Sequence, residues 1–563
     1  MIQLIEYNFN LGDTFEHRLK SNIGRPDGRP HCFAWHKAFA QSDPEPTVVI
    51  AVAPLKEQMK DIGYIADAAG FGQMSFLIKM QLQQFLNGIN NEKPSGVLLY
   101  FEKDQEEPIA LGFLPISNMD DFLNVVSQYA EVDETDDITT IVPPGSPELL
   151  MKQVGGYAYF SDREAAFENI NADPSDIVGD LPNKFNLGVK IHAQRIPKEM
   201  RKQWLDTIEE GYNDSIGDLD GIPSEIQEKN FEMQMETFRS LINETEELVI
   251  GIAADEKQES IYLDFQLIAQ QGSKLAKDSA SQQGIDPSRF LKMLSVENAA
   301  FTANMCGELG EAERENYSSM IGATRGEIFK ELNDSDMSDA ELEKMEDIVD
   351  DFIAVLENTF KEGRLDGGMV VTSDDRMEFA IGMHVADAAA LEKIAEDLDE
   401  AVGPNEFIEF NLNSGKMDDL RLHEMVIQLD ETNSDIQEMI GEELNLLLAV
   451  GRNEVYIVGS GEDPSALLKE LTAPNAAKAD SSVAMQYNMY LTPILRLSAN
   501  IEGEELTEKM ADKLAESGKD RIRLDIKWIE NGVQGRFDMQ DGILEIIGVA
   551  AQNLGGAFGG AEF

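Results

Sequence analysis

Apolar and polar positions change period several times along this chain, and each change marks an element. "LVIGIAADEKQESIYLDFQLIAQ" (Leu248 to Gln270) and "IRLDIKWIENGVQGRFDMQDGIL" (Ile522 to Leu544) alternate with a period of two, which predicts antiparallel hairpins with half-buried strands. "FNLGVKI", from Phe185, carries Leu187, Val189 and Ile191 on alternate positions, so one sheet face is left for water or a partner. Elsewhere the spacing is helical. "DMSDAELEKMEDIVDDFIAVLENTFKEG" places Ile348, Phe352, Val355, Leu356 and Phe360 on a stripe, with Ser338 and Glu341 spaced as a capping box and Gly363 as a stop. "PSEIQEKNFEMQMETFRSLINETEEL" (Pro223 to Leu248) sets Phe231, Met235, Phe238 and Leu241 three or four apart, a stripe expected to pack on the protein's own sheet. In "GFGQMSFLIKMQLQQFL" (Gly70 to Leu86), Phe76, Leu77, Met80, Leu82, Phe85 and Leu86 exceed one narrow stripe. This helix is expected to lie between two layers; an apolar cavity beneath it is the alternative.

The pattern then repeats. "GVLLYFEKDQEEPIALGFLPISNMDDFLNVV" (Gly96 to Val126) and "GMVVTSDDRMEFAIGMHVADAAALEKIAEDL" (Gly368 to Leu398) both read strand, turn, strand, helix, with Ala110-Leu111-Gly112-Phe113 set against Ala380-Ile381-Gly382-Met383. "YAYFSDREAAFENI" from Tyr157 matches "VYIVGSGEDPSALLKEL" from Val455, each a strand, a polar turn and a helix, Asp463 being the expected N-cap and Pro464 the first helical residue. "FNLGVKI" matches "VAMQYNM" from Val483 at the same offset as that pair, the two hairpins close the halves, and "TVVIAVAPLKEQ" from Thr47 loosely answers "AAFTANMCGELGE" from Ala299. The fold class expected is α+β: an internal duplication of two lobes, each a mostly antiparallel sheet with helices packed on one face. The expected divisions are an irregular leader at 1–44, lobe 1 at 45–285, lobe 2 at 292–550 and a glycine-rich flexible tail at 551–563.

Composition narrows the function classes. The chain has 563 residues, 105 of them Asp or Glu against 46 Lys or Arg, a formal charge of −59. Nucleic acid is excluded as an expected partner because that affinity rests on neutralising phosphates. An anionic membrane surface is disfavoured for the same reason, and no run approaches the roughly 18 apolar residues of a membrane span. Weak binding of Ca²⁺ or of a cationic partner is compatible with the charge, although a solvated acidic surface accounts for most of it. Two cysteines, Cys32 and Cys306, cannot form a disulfide framework.

Catalytic signatures are missing from the sequence. Of the histidines, His31 and His36 with Cys32 could converge on zinc, but no fourth ligand follows at a metal-site spacing. His384 and His423 fall inside strands, and the first-half counterpart of His384 is Leu114, which points to a core position. "VGSGEDPS" (Val458 to Ser465) has the glycines of a phosphate cradle, but Pro464, Glu462 and Asp463 oppose that use, leaving a capped turn. "DSDMSDAELEKM" and "DLDGIPSE" fail as calcium loops because glycine is misplaced. Accordingly no catalytic, cofactor-binding or metal residue is assigned.

The ordered segments "GFLPISNMDDFLNVV", "VGGYAYFSDREAAFENI", "FNLGVKIHAQRIPKEMRKQWLDTIEEG" and "QLIAQQGSKLAK" resemble a family of large acidic exported proteins typical of planctomycete bacteria. The motifs carrying the likeness are G-x-Y-x-x-x-S at Gly155 to Ser161, an I-P-x-E-x-R helix start at Ile196 to Arg201 and G-S-x-L-A at Gly272 to Ala276, across most of 47–555. They are structural motifs, so the resemblance implies export and transfers no functional residue. Family members begin with a signal peptide, and "AFAQSDPEP" (Ala38 to Pro46) has the small-residue form of a cleavage site. The preceding "SNIGRPDGRPHCFAWHK" lacks the apolar segment that such a signal requires. A periplasmic or surface location is therefore expected, with the cytoplasm as the alternative. The leading functional expectation is a non-enzymatic binding or structural component of the cell envelope. A hydrolase using acidic residues in an inter-lobe cleft is the second, and a carrier of an apolar ligand the third.

Overall fold

Period-two segments become twenty strands. The computed structural model describes residues 45–558 apart from 84, 102–107, 136, 171–172, 217–223, 334, 336, 374–375, 405–406, 430–433, 474–481 and 504. The first ten strands are β1 (Val48–Val52), β2 (Ser95–Tyr100), β3 (Ile109–Pro115), β4 (Glu131–Glu134), β5 (Thr139–Val142), β6 (Leu149–Val154), β7 (Tyr157–Ser161), β8 (Leu187–His192), β9 (Thr245–Asp255) and β10 (Ser260–Ala269). The second ten are β11 (Ala299–Glu308), β12 (Arg364–Ser373), β13 (Met377–His384), β14 (Ile408–Met417), β15 (Leu420–Gln428), β16 (Glu443–Val450), β17 (Glu454–Ser460), β18 (Val483–Tyr490), β19 (Arg521–Ile529) and β20 (Gly532–Gln540).

All their pairings are antiparallel, and the two sets follow one plan. The first runs β4-β5-β6-β7-β3-β2-β1-β8-β9-β10. The second runs β14-β15-β16-β17-β13-β12-β11-β18-β19-β20. Each set also places a helix pair after its first strand and another after its eighth. These are Leu55–Ala68 with Gly72–Gln83 and Lys198–Ile216 with Ser224–Glu244 in the first half, and Glu311–Asn333 with Asp339–Glu362 and Leu491–Glu502 with Glu505–Ser517 in the second. β10 then pairs with β20, so one sheet runs unbroken through both halves and the residues from Glu45 onward form a single compact unit.

Where the sets meet, equivalent positions face each other. Leu98, Val49, Lys190, Val249 and Gln266 lie opposite one another across β2, β1, β8, β9 and β10. Val370, Thr302, Asn488, Arg523 and Asp538 do so across β12, β11, β18, β19 and β20. Gln266 thus corresponds to Asp538 and, two residues earlier, Asp264 to Arg536, which pair directly with each other. A residue on a two-fold axis meets its own counterpart, so a like pair here would repel; Asp and Arg instead form two hydrogen bonds of 2.6 and 2.7 Å. Beside them the Phe265 ring lies over Gly535, where a Cβ would come within 2.1 Å of it.

Outside the central strands, helical segments cover both faces of the sheet, more than the one-faced packing expected. Tyr157 and Tyr159 join Phe167, Val178, Leu181 and Phe185 on one face, while Ala158 between them joins Phe122 and Leu123 on the other. The second half repeats this with Phe290, Met293, Leu467 and Leu468 on one side and Val355, Val385 and Ala388 on the other. Strands buried on both faces lose strict alternation, which is why "YAYF" reads as a continuous apolar run.

Local signals are realised with small shifts. Ser338 and Glu341 form the reciprocal capping box, and Gly363 ends that helix in the left-handed region at φ 87°. Asp463 accepts from Ser465 N at 2.9 Å, but Pro464 is the N-cap, one residue later than expected. The helix expected after β7 is a 3₁₀ turn, Glu164–Asn169. The glycine-rich C-terminal stretch is not wholly a tail: helix Gly542–Phe558 runs into it, and a Cβ at Gly548 would strike Ala69 O, so close packing on the helix Leu55–Ala68 uses the missing side chain.

Candidate functional site

A cavity lies in the second half, where β18 leaves the sheet and β19 enters it. Its volume is about 620 Å³, and its walls are the helices Leu491–Glu502 and Glu505–Ser517 together with Asn298 and Ser373 at the ends of β11 and β12. Four-residue spacing puts Thr492, Arg496 and Asn500 on one face of the first helix; Glu508 and Asp512 share a face of the second. The helices hold this arrangement because Leu491, Leu495, Met510 and Leu514 pack with Ile543 and Ile546 onto Ile522 and Met539.

Asp520 holds the start of the first of these helices. Its carboxylate accepts from Thr492 N at 3.0 Å and its carbonyl accepts from Leu491 N at 3.1 Å, which caps a helix whose N-cap, Tyr490, offers no side-chain bond. Thr492 is only 9% exposed, and its Oγ1 has no hydrogen-bond partner among the described residues. Leaving a buried hydroxyl unpaired costs about 1–3 kcal/mol. Arg496, Glu508 and Asp512 are exposed on the walls, and none makes an ion pair within the described residues.

The matching junction of the first half is tied shut. Gln194, following β8, donates to Asn243 O at 3.0 Å and to Thr245 O at 2.6 Å. Arg201, only 6% exposed, donates in turn to Gln194 Oε1 at 3.1 Å. At the offset that sets Asn488 against Lys190, Thr492 stands in place of Gln194 and Ala499 in place of Arg201.

The chain matches no protein-family model, and no curated protein matches it. What the arrangement can do chemically must therefore be read from its own groups.

His384 and His423 are buried, on β13 and β15, as their strand context implied. His384 Nε2 stands 3.3 Å from Glu362 Oε2 and its Nδ1 has no partner among the described residues. His423 Nε2 stands 3.4 Å from Glu392 Oε1, which also takes Arg421 Nε at 2.5 Å, and its Nδ1 accepts from Asn413 N at 3.4 Å. Among the described residues neither imidazole bonds a serine, threonine or cysteine, so no nucleophile is paired with a base there. The counterpart of His384 is Pro115, not Leu114: Leu98 pairs with Leu111 and Val370 with Ala380, which moves the match by one residue and to the other face.

His31, Cys32 and His36 lie outside the described residues, as do Asp334 and Asp336 and most of "DLDGIPSE"; among the described residues no group of three or more His, Cys, Asp or Glu could hold a metal. Within "VGSGEDPS" Gly461 approaches Ile440 O so closely that a Cβ would lie 1.8 Å away, a packing role in keeping with a capped turn. Phe76, Met80 and Phe85 are 67%, 52% and 44% exposed, so the segment expected between two layers faces solvent instead, while the side chains of Leu77 and Leu82 lie outside the description. The buried carboxylates, Asp366 and Asp541, sit beside Arg364 (2.7 Å) and Lys519 (3.5 Å) respectively, and neither lines the cavity.

None of the cavity residues was named from sequence. Thr492, Arg496, Glu508 and Asp512 read as ordinary polar positions of two surface helices, and only the packing turns those faces toward one another.

Proposed function

We propose that this is a binding protein rather than an enzyme, and that its ligand is a small polar molecule held in the second-half cavity. The observation that carries this reading is the cavity of about 620 Å³, lined by Thr492, whose buried Oγ1 has no hydrogen-bond partner among the described residues, at a junction that the first half closes with its own Gln194 and Arg201. Duplication is part of the proposal: one copy keeps the junction structural, and the other, freed from that role, supplies a site. The common strand order supports this. A hydrolase gains no support, because the buried carboxylates stand apart from the cavity beside their own basic residues.

The test is a thermal-shift screen of polar metabolites on the full chain, followed by calorimetry on Thr492→Val. A ligand that raises the midpoint of the wild type and loses at least tenfold in affinity on Thr492→Val is the expected result. The variant alone should melt no lower than the parent, since it removes an unpaired buried hydroxyl. A screen without hits, or hits indifferent to Thr492, would overturn the proposal. Export, implied by the family resemblance, is a separate element; N-terminal sequencing of the native protein should find a start near Gln41, and an intact Met1 would reject it.

A further inference from the structure

We infer that the cavity selects a zwitterion of amino-acid type, a molecule carrying both an ammonium and a carboxylate. This rests on the cavity being the binding site, as proposed above. Its walls are electrically divided. Among the described residues Arg496 is the one cation lining it, on the same helix face as Thr492 and Asn500, whereas Glu508 and Asp512 line it from the neighbouring helix and Asp520 lines it beside the start of the first. A simple anion would meet three carboxylates, and a simple amine would leave Arg496 without a counter-charge. A molecule with both groups satisfies each wall.

Antiparallel packing of the two helices supplies the geometry. Arg496 lies one turn beyond Thr492 on the same helix face, so a carboxylate bound at the guanidinium lies beside Thr492. Glu508 and Asp512, four residues apart on their helix, present two acceptors to an ammonium, which has three donors. Asp520 is partly committed to capping Thr492 N, which leaves Glu508 and Asp512 as the carboxylates free to meet an ammonium. The volume, about 620 Å³, is more than a free amino acid fills, so the charges on the walls rather than a fit to its shape carry the selection.

Calorimetry on the full chain tests the class. The probes are the twenty amino acids singly, and for each that binds, the amine lacking its carboxylate and the acid lacking its amino group. The expected result is that both analogues bind at least tenfold more weakly than the parent. Arg496→Ala should weaken the amino acid by at least tenfold yet leave the amine unchanged, and Glu508→Gln with Asp512→Asn should do the reverse to the acid. All three positions are exposed, so these variants fold normally, as circular dichroism will check. An analogue that binds as tightly as its parent, or binding indifferent to Arg496, overturns the zwitterion. If Thr492→Val still abolishes that binding, the cavity remains the site and only the ligand class falls. If none of the amino acids binds while another polar metabolite binds in a Thr492-dependent way, the class falls likewise.

Discussion

Consider replacing Arg536 by Gln, which removes one member of the pair that joins the halves at equivalent positions. The pair is bidentate and partly shielded, with Arg536 40% and Asp264 26% exposed, and the guanidinium also lies 4.1 Å from the centre of the Tyr262 ring. Hydrogen bonding to Asp264, the largest influence, holds the guanidinium pKa above its usual value. Exposed ion pairs contribute about 0–1 kcal/mol and breaking buried ones costs about 3–5, so this intermediate site should be worth about 1–2. The ring contact adds about 0.5–1 kcal/mol, for a total near 2 kcal/mol. For a cooperative unit of this length that is a midpoint shift of roughly 2–4 °C, because the shift per kcal/mol falls as domains grow.

Scanning calorimetry of the full chain reads it out with Arg536→Gln, Asp264→Asn, the double variant, Asp264→Arg, and the swap Asp264→Arg with Arg536→Asp. The double neutral variant should lose less than the sum of the single losses. Asp264→Arg should be the least stable, since it places two arginines at the self-facing position, and the swap should recover at least half of that loss. Additive single losses, together with a swap no better than Asp264→Arg, would show that the pair is merely solvated and that the joint rests on backbone pairing alone.

The alkaline limit follows from burial. Cys306 is pushed up to about 11, chiefly by burial and then by Asp366, and burial pushes Tyr456 up to about 12. Both groups are neutral below their folded values, so the stability they confer is complete below their unfolded pKa values, near 8.5 and 10, and is lost as pH rises toward 11 and 12. In a Cys32→Ser background, the remaining thiol should react with a disulfide reagent at pH 8 roughly a hundredfold more slowly in the folded than in the unfolded chain; equal rates would refute this. Gly382→Ala should cost about 1–3 kcal/mol, because its Cβ would lie 2.4 Å from the Phe290 ring and 2.8 Å from Met293 Cε. Gly326→Ala, in the helix Glu311–Asn333 with open space around it, should raise the midpoint instead, and calorimetry of the pair decides whether the core at Phe290 is as tight as described.

Period and punctuation in the sequence determined the elements. The β9–β10 and β19–β20 hairpins, the capping box at Ser338 and the stop at Gly363 are local, set by side-chain alternation and by backbone groups within a few residues, so single segments specify them. The α+β class follows from the same patterns. Register across the sheet was only partly legible: Ala110 to Phe113 aligns by eye with Ala380 to Met383, yet the ladders set Leu111 opposite Leu98 as they set Ala380 opposite Val370, and a one-residue slip leaves the residue types alike while exchanging the faces. The joint at Asp264 and Arg536 depends on strands far apart in the chain, and nothing near either residue specifies its partner. The cavity was invisible for a related reason. Thr492 looks like any early helical threonine until the helices Leu491–Glu502 and Glu505–Ser517, Asp520 and the ends of β11 and β12 enclose it, and its missing hydrogen bond is a property of that enclosure. Exposure of Phe76 and Met80 was decided in the same way: apolar spacing along a helix counts the faces that could be buried, and only the arrangement of its neighbours decides which of them is covered.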